Sequence, residues 1–281
     1  MTDPIRPAEV TTSGLDGPTE DHLLQMELTI ELPAPPAVVW EAIATGPGLS
    51  LWFLETDLEE RAGGHVAFHM GPEMASEGEV TAWEPGARLE YAEPDWVALA
   101  SRENSGQTPL VSEFLIEATS GGTSILRVVS SAYGTGAEWE REWFADMVAN
   151  WAPSFDTLAR YVARHAGLPG VRVAADLHVD GHPDQLWPQV VALFGTPAIG
   201  DEVRIGAASG VLERLHDEPN VKELLVRFDA PAPGFGVMGA YEIGGSAVVT
   251  LGGSVFGDDA QQHAEALQAD WLARVGSLTA G

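Results

Sequence analysis

The stretch from Ala137 to Arg164, AEWEREWFADMVANWAPSFDTLARYVAR, constrains this chain more than any other. Its apolar residues Phe144, Met147, Trp151, Phe155, Leu158 and Val162 step by three and four, which places them on one face of a helix of roughly seven turns. Glu138, Glu140 and Glu142 suit the positive pole of the helix dipole, and Arg160 and Arg164 suit the other end. Pro153 removes a backbone donor and crowds the carbonyl four residues earlier, so a bend is expected there. A long apolar helix face needs a cover, and the residues before it supply strands.

LQMELTIEL, from Leu24, alternates Met26, Leu28, Ile30 and Leu32 with polar neighbours, the pattern of a half-buried strand. Pro36 opens a short helix carrying Val39, Trp40 and Ile43, and GLSLWF makes a second. From Leu54 the period changes to two. Hairpins are predicted to turn at Gly63–Gly64, at Glu84-Pro85-Gly86 and at Gly121–Gly122, and residues 99–110 read as a polar loop. One strand, two short helices, antiparallel strands and a long helix make an α+β pattern.

After the linker Ala166–Gly170 the order recurs. VRVAADLHV reads as a strand, and Pro183 stands four residues before Trp187, as Pro36 does before Trp40. Hairpins turn at Glu218-Pro219 and Gly244–Gly245, and a final helix carries Ala264, Leu267, Trp271, Val275 and Leu278. Pro188 should leave the first helix of this copy short or distorted. The expected organisation is a disordered tail over 1–20, a domain over 21–166 and a reduced second copy over 167–281.

Composition narrows the function classes. Forty-two acids against fourteen bases give a net charge of −28, which argues against nucleic acid and anionic membrane as partners. The chain has no cysteine, so thiol chemistry and disulfides are excluded. No apolar run approaches a membrane span and the N-terminus lacks a signal pattern, so a soluble cytoplasmic protein is expected.

Three segments together resemble a known family: Pro-x-x-Val-Trp at Pro36–Trp40, Val-Thr-x-Trp-Glu-Pro-Gly-x-Arg-Leu at Val80–Leu89, and Glu-Trp, Met, Asn-Trp-Ala-Pro, Leu and Tyr along the long helix. They are similar to bacterial proteins related to the C-terminal domain of the activator of Hsp90 ATPase, in the START-like (SRPBCC, Bet v 1-like) superfamily. The likeness covers roughly residues 23–165. It implies a helix-grip fold, a curved antiparallel sheet wrapped round the closing helix with an apolar cavity between them. Relatives bind lipids, carry hydrophobic ligands, cyclise polyketides or bind chaperones, so fold does not fix function. The resemblance transfers no catalytic residue.

The expected cavity lining is Trp52, Trp83, Tyr91, Phe114, Trp143, Met147 and Trp151, with the indole N–H of Trp83 or Trp143 free to orient a polar group of a ligand. Each of these residues also has a plain reading as core filling. His65 and His69 stand four apart, but on a strand that spacing is about 13 Å, too far to share a metal. His178 and His182 read as exposed. Asp146 and Asn150 lie one helical turn apart and read as a solvated flank or a polar handle. The chain has no GxGxxG between strand and helix, no phosphate-binding loop and no GxSxG, so neither a nucleotide cofactor nor a serine nucleophile is expected.

Three readings follow. The first is a non-enzymatic protein that binds a small apolar ligand in the first domain; the second is a chaperone-activator-like interaction module; the third is a polyketide cyclase or dehydratase-like enzyme. An aromatic cavity with few polar atoms would favour the first, an exposed apolar or charged patch the second, and titratable groups converging inside the cavity the third.

Overall fold

The computed structural model describes residues 6–17, 19–71, 74–179, 182–219, 221–243 and 246–278. The chain falls into two compact units, Met1–Ala166 and Gly167–Gly281.

The first unit contains β1 (Glu9–Ser13), β2 (Leu23–Leu32), α1 (Pro36–Ile43), α2 (Gly46–Trp52), β3 (Glu55–Leu58), β4 (His65–His69), β5 (Ala75–Glu84), β6 (Arg88–Glu93), α3 (Trp96–Leu99), β7 (Leu110–Ala118), β8 (Ser124–Tyr133) and α4 (Glu138–Arg164). Its eight strands form one antiparallel sheet in the order β1-β2-β8-β7-β6-β5-β4-β3. Alternation decides which side faces in: Leu24, Met26, Leu28, Ile30 and Leu32 on β2 are buried, as are Leu110, Ser112, Phe114 and Ile116 on β7. The hairpin glycine Gly86 has φ +79, the left-handed conformation that a tight turn after Pro85 requires.

The tail reading is corrected by β1. Glu9–Ser13 pairs antiparallel with β2, from Glu9 opposite Thr29 to Ser13 opposite Gln25. Its side chains are mostly exposed, so it has no apolar face for a sequence reading to detect. What it gains is backbone pairing along a β2 edge that would otherwise stay open.

The helix α4 is 27 residues long and continues through Pro153. Phe144, Phe155, Leu158 and Val162 are buried, whereas Met147 and Trp151 are half-buried. The first turn is anchored by Glu140. Its carboxylate accepts from the backbone N–H of Thr135 (2.9 Å), Gly136 (3.0 Å) and Ala137 (3.1 Å), from the Thr135 hydroxyl (2.8 Å) and from the Gln107 amide (2.7 Å). Burial pushes the Glu140 pKa up, but these donors together outweigh it and hold the group below the ordinary carboxylate range. The bond back to Ala137 is half of a capping box, since Ala137 has no side-chain acceptor to return it.

The second unit contains β9 (Gly170–Val179), α5 (Pro183–Ala192), β10 (Glu202–Ile205), β11 (Ala208–Glu218), β12 (Val221–Ala230), β13 (Gly234–Ile243), β14 (Ser246–Phe256) and α6 (Ala260–Val275). Its six strands run antiparallel in the order β10-β11-β12-β13-β14-β9. Leu186, Trp187 and Val190 of α5 and Ala264, Leu267, Trp271 and Val275 of α6 pack with Leu224, Val226, Phe228, Met238 and Leu251 in one core. Pro188 lies within the ten-residue α5. The turn expected at Gly244–Gly245 falls outside the described residues.

Candidate functional site

Between the inner sheet face and α4 the first unit gathers aromatic rings around a narrow slot. It is lined by Ile43 of α1, Leu49 and Trp52 of α2, Phe53, Phe68 of β4, Tyr91 of β6, Phe114 of β7, and Trp151 and Phe155 of α4. The seven rings touch in a closed series: Trp52–Phe53 5.5 Å, Phe53–Phe68 5.9 Å, Phe68–Tyr91 5.2 Å, Tyr91–Phe114 5.8 Å, Phe114–Phe155 6.4 Å and Phe155–Trp52 5.8 Å between centroids, with Trp151 against Phe53 (5.8 Å) and Phe155 (6.2 Å). The Trp52 indole N–H donates to the Ala42 carbonyl at 2.9 Å, so that ring is fixed. The space left between the rings admits about one water molecule. Phe53 and Trp151 are half-buried, and theirs are the rings that must move to enlarge it.

Of the residues expected to line a cavity, Trp52, Tyr91, Phe114 and Trp151 meet here. Trp83, Trp143 and Met147 do not. Trp83 packs edge-on against Trp40 of α1 at 5.0 Å, near the end of β5, which carries an irregularity between Val80 and Ala82. Trp143 belongs to a second aromatic group: it lies 4.8 Å from Trp96 of α3, which also meets Trp139 at 6.0 Å, and the Arg102 guanidinium sits over Trp139 at 5.8 Å. Met147 is one turn before Trp151 on α4, beyond the end of the slot. Ile43, Leu49, Phe53, Phe68 and Phe155 are not in the expected set. Phe155 follows Trp151 by one turn on the same apolar face, which is the signal that could have placed it.

Residues 33–163 match the family model for Activator of Hsp90 ATPase homolog 1-like protein. This region is AHSA1-like. Among solved structures, CalU16 from Micromonospora echinospora is 16% identical over 57% of this chain and 88% of its own, with a TM-score of 0.41. The Aha1 dimer from Colwellia psychrerythraea is 16% identical over 51% of this chain and 98% of its own, at 0.41. DynU16, a protein of the dynemicin biosynthetic locus, is 15% identical over 92% of this chain and 97% of its own, also at 0.41. No curated protein matches the chain.

The AHSA1-like domain also carries a polar row on the inner sheet face, next to the slot. Tyr91 is followed two positions later on the same face of β6 by Glu93, which is 5% exposed. The Ser76 hydroxyl of β5 donates to Glu93 Oε1. Ser112 of β7, opposite Tyr91, shares a 2.8 Å hydrogen bond with Ser130 of β8. Burial pushes the Glu93 pKa up to about 7, with the Ser76 hydrogen bond acting the other way. Burial also raises the Tyr91 phenol well above its usual value, Glu93 adds to the rise and Ser112 opposes it.

The other polar candidates lie elsewhere in the AHSA1-like domain. His65 Nε2 is 3.7 Å from Glu77 and His69 Nε2 is 2.9 Å from Asp57, so each histidine has its own carboxylate on a neighbouring strand. Asn150 Nδ2 donates to the Asp146 backbone carbonyl at 2.8 Å, a contact within the helix. Among the described residues no group of three or more His, Asp or Glu side chains is arranged to hold a metal, and no helix is long and apolar enough to cross a membrane.

Proposed function

We propose that the AHSA1-like domain binds a small, flat, apolar molecule between its sheet and α4. The observation that supports this is the convergence of nine side chains from six elements and the α2–β3 corner on one space beside a long helix. The slot is nearly filled at rest, so binding involves the outward swing of Trp151 and Phe53, and the ligand takes over the ring contacts they give up. The polar row of Tyr91, Glu93 and their serine partners borders this space. The large apolar side chains exposed among the described residues, Tyr133, Leu168, Ile199 and Leu272, fall on separate segments, which gives the interaction-module reading less support.

Calorimetric titration of the full chain with 1-ethylnaphthalene tests the reading. Saturable one-site binding near micromolar strength is expected, accompanied by a change in tryptophan emission. Trp151→Ala should tighten binding about tenfold, because removing a half-buried ring leaves an apolar cavity of the kind that takes up aromatic guests. No saturable binding to either protein would overturn the proposal.

A further inference from the structure

The Ser76–Glu93 pair is a buried polar feature of the inner face that apolar ligand binding alone leaves without a purpose. Phe68 and Tyr91 both wall the slot. Phe68 is the register partner of Ser76 across β4 and β5, and Tyr91 precedes Glu93 by two on β6, so Ser76 lies level with one of the slot's rings and Glu93 lies next to another on the same face. Glu93 is drawn over Gly78, where an added Cβ would come within 3.2 Å of its Cγ and 2.5 Å of the Ala92 carbonyl. Ser76 satisfies one carboxyl oxygen. Among the described residues Oε2 accepts no hydrogen bond, and no Arg, Lys or His pairs with the group.

We propose, building on the slot reading above, that Glu93 is the polar anchor of this site and that the ligand is an aromatic amine, its ammonium meeting Glu93 while its flat body enters the slot. Three independent features favour a cation over a neutral or anionic head group. A buried carboxyl without a basic partner lacks the counter-charge that an ammonium brings, and charge-assisted hydrogen bonds to carboxylates are the stronger kind. The slot presents seven aromatic rings, whose faces attract cations. The chain's net charge of −28 raises the local concentration of cations and depresses that of anions. Neither of the last two features requires Glu93, so a variant at that position separates the anchor from the general preference.

The experiment compares two probes of nearly equal shape, 1-naphthylmethylamine and 1-ethylnaphthalene, by calorimetry on the full chain at pH 7. At moderate salt, where surface attraction is screened, the amine should bind at least about tenfold more tightly. In Glu93→Gln, which changes the formal net charge only from −28 to about −27, the advantage should vanish while the neutral probe binds as before. Titration of the unmodified protein in two buffers of different ionisation enthalpy gives a readout independent of any variant. The amine should expel a proton from the part-protonated Glu93 to the buffer, and the neutral probe should expel none. If neither probe binds, the slot reading and the anchor fail together. If both bind equally, the slot stands and the anchor is wrong. An amine advantage that survives in Glu93→Gln, or that is accompanied by no proton release, would likewise overturn the anchor.

Discussion

Glu93 and Glu140 are both almost fully buried carboxyl groups of the same AHSA1-like unit, yet their surroundings push them in opposite directions. Glu140 gathers five donors, three of them backbone N–H groups at the start of α4, and is held ionised despite its burial. Glu93 receives one hydroxyl and titrates near 7. The contrast shows that depth alone does not decide the state of a buried acid; the number of donors waiting for it does. A group with all its partners supplied by the chain is structural. One whose second oxygen is left without a partner is available to something else.

The largest expected effect is on the Glu140 side of the comparison. Glu140→Ala leaves three backbone N–H groups, a hydroxyl and an amide without their acceptor, and should cost about 3–4 kcal/mol of unfolding free energy by urea titration at pH 7. Because the Glu140 pKa is depressed in the folded state, its stabilisation is present above the ordinary carboxylate range and is lost as pH falls through the folded value. A loss under 1 kcal/mol would mean that water replaces the carboxylate and that the donor count is a poor guide.

Glu93 should show the reverse sign. Its folded pKa of about 7 lies above the value of 4.5 expected without burial, so the folded state holds a proton that the unfolded chain has given up between those limits. Stability from this group is complete below pH 4.5 and falls as pH rises through 7, by about 3 kcal/mol in all. Glu93→Gln cannot ionise, so the variant should be more stable than the parent by about that amount above pH 8 and nearly equal to it at pH 5. Parallel stability curves for the two proteins across that range would sink the argument. A gain in stability combined with loss of amine binding would be the usual exchange between a binding site and its scaffold.

How much of this could be read from the sequence depends on the distance over which the signal acts. The apolar faces of β2 and α4 were legible because period two and period 3.6 are local properties, and so were the hairpins marked by Gly63, Gly86 and Gly121. The slot was legible only in part. Trp143 and Trp151 share a helix, but Trp143 packs on Trp96 of α3, a four-residue turn just ahead of the predicted loop for which the sequence held no expectation. The strand β1 has no apolar alternation, since its stabilisation is backbone pairing. Glu93 could not be singled out among forty-two acids, because it is set apart by Ser76 and Gly78 of the neighbouring strand, and Glu140 looks like an ordinary first-turn acid until Gln107 and Thr135 are placed round it.

Removing single donors sharpens the comparison further. Gln107→Ala deletes one of the five partners of Glu140 and also the acceptor for the Ser105 N–H at 2.8 Å, so about 1.5 kcal/mol should be lost at pH 7 while α4 stays capped by the other four. A loss as large as that of Glu140→Ala would mean that the loop, rather than the carboxylate, holds the helix start.

The smallest effect is expected from Ser76→Ala, which takes away the one donor of Glu93. The deleted hydroxyl favours the ionised form, so without it burial acts unopposed and the Glu93 midpoint should move above 7. At pH 5 both proteins hold Glu93 neutral, and the cost should be about 1 kcal/mol, that of one hydrogen bond between uncharged groups. At pH 8 the difference should widen, because the parent ionises with help from Ser76 and the variant does so without it. Following the carboxyl carbon of Glu93 by isotope-edited NMR through a pH titration reads the midpoint directly, and calorimetric melting at the two pH values reads the energies. A midpoint that stays in place, or a stability gap that narrows with rising pH, would show that the two buried acids do not differ through their donors and that burial depth alone sets Glu93.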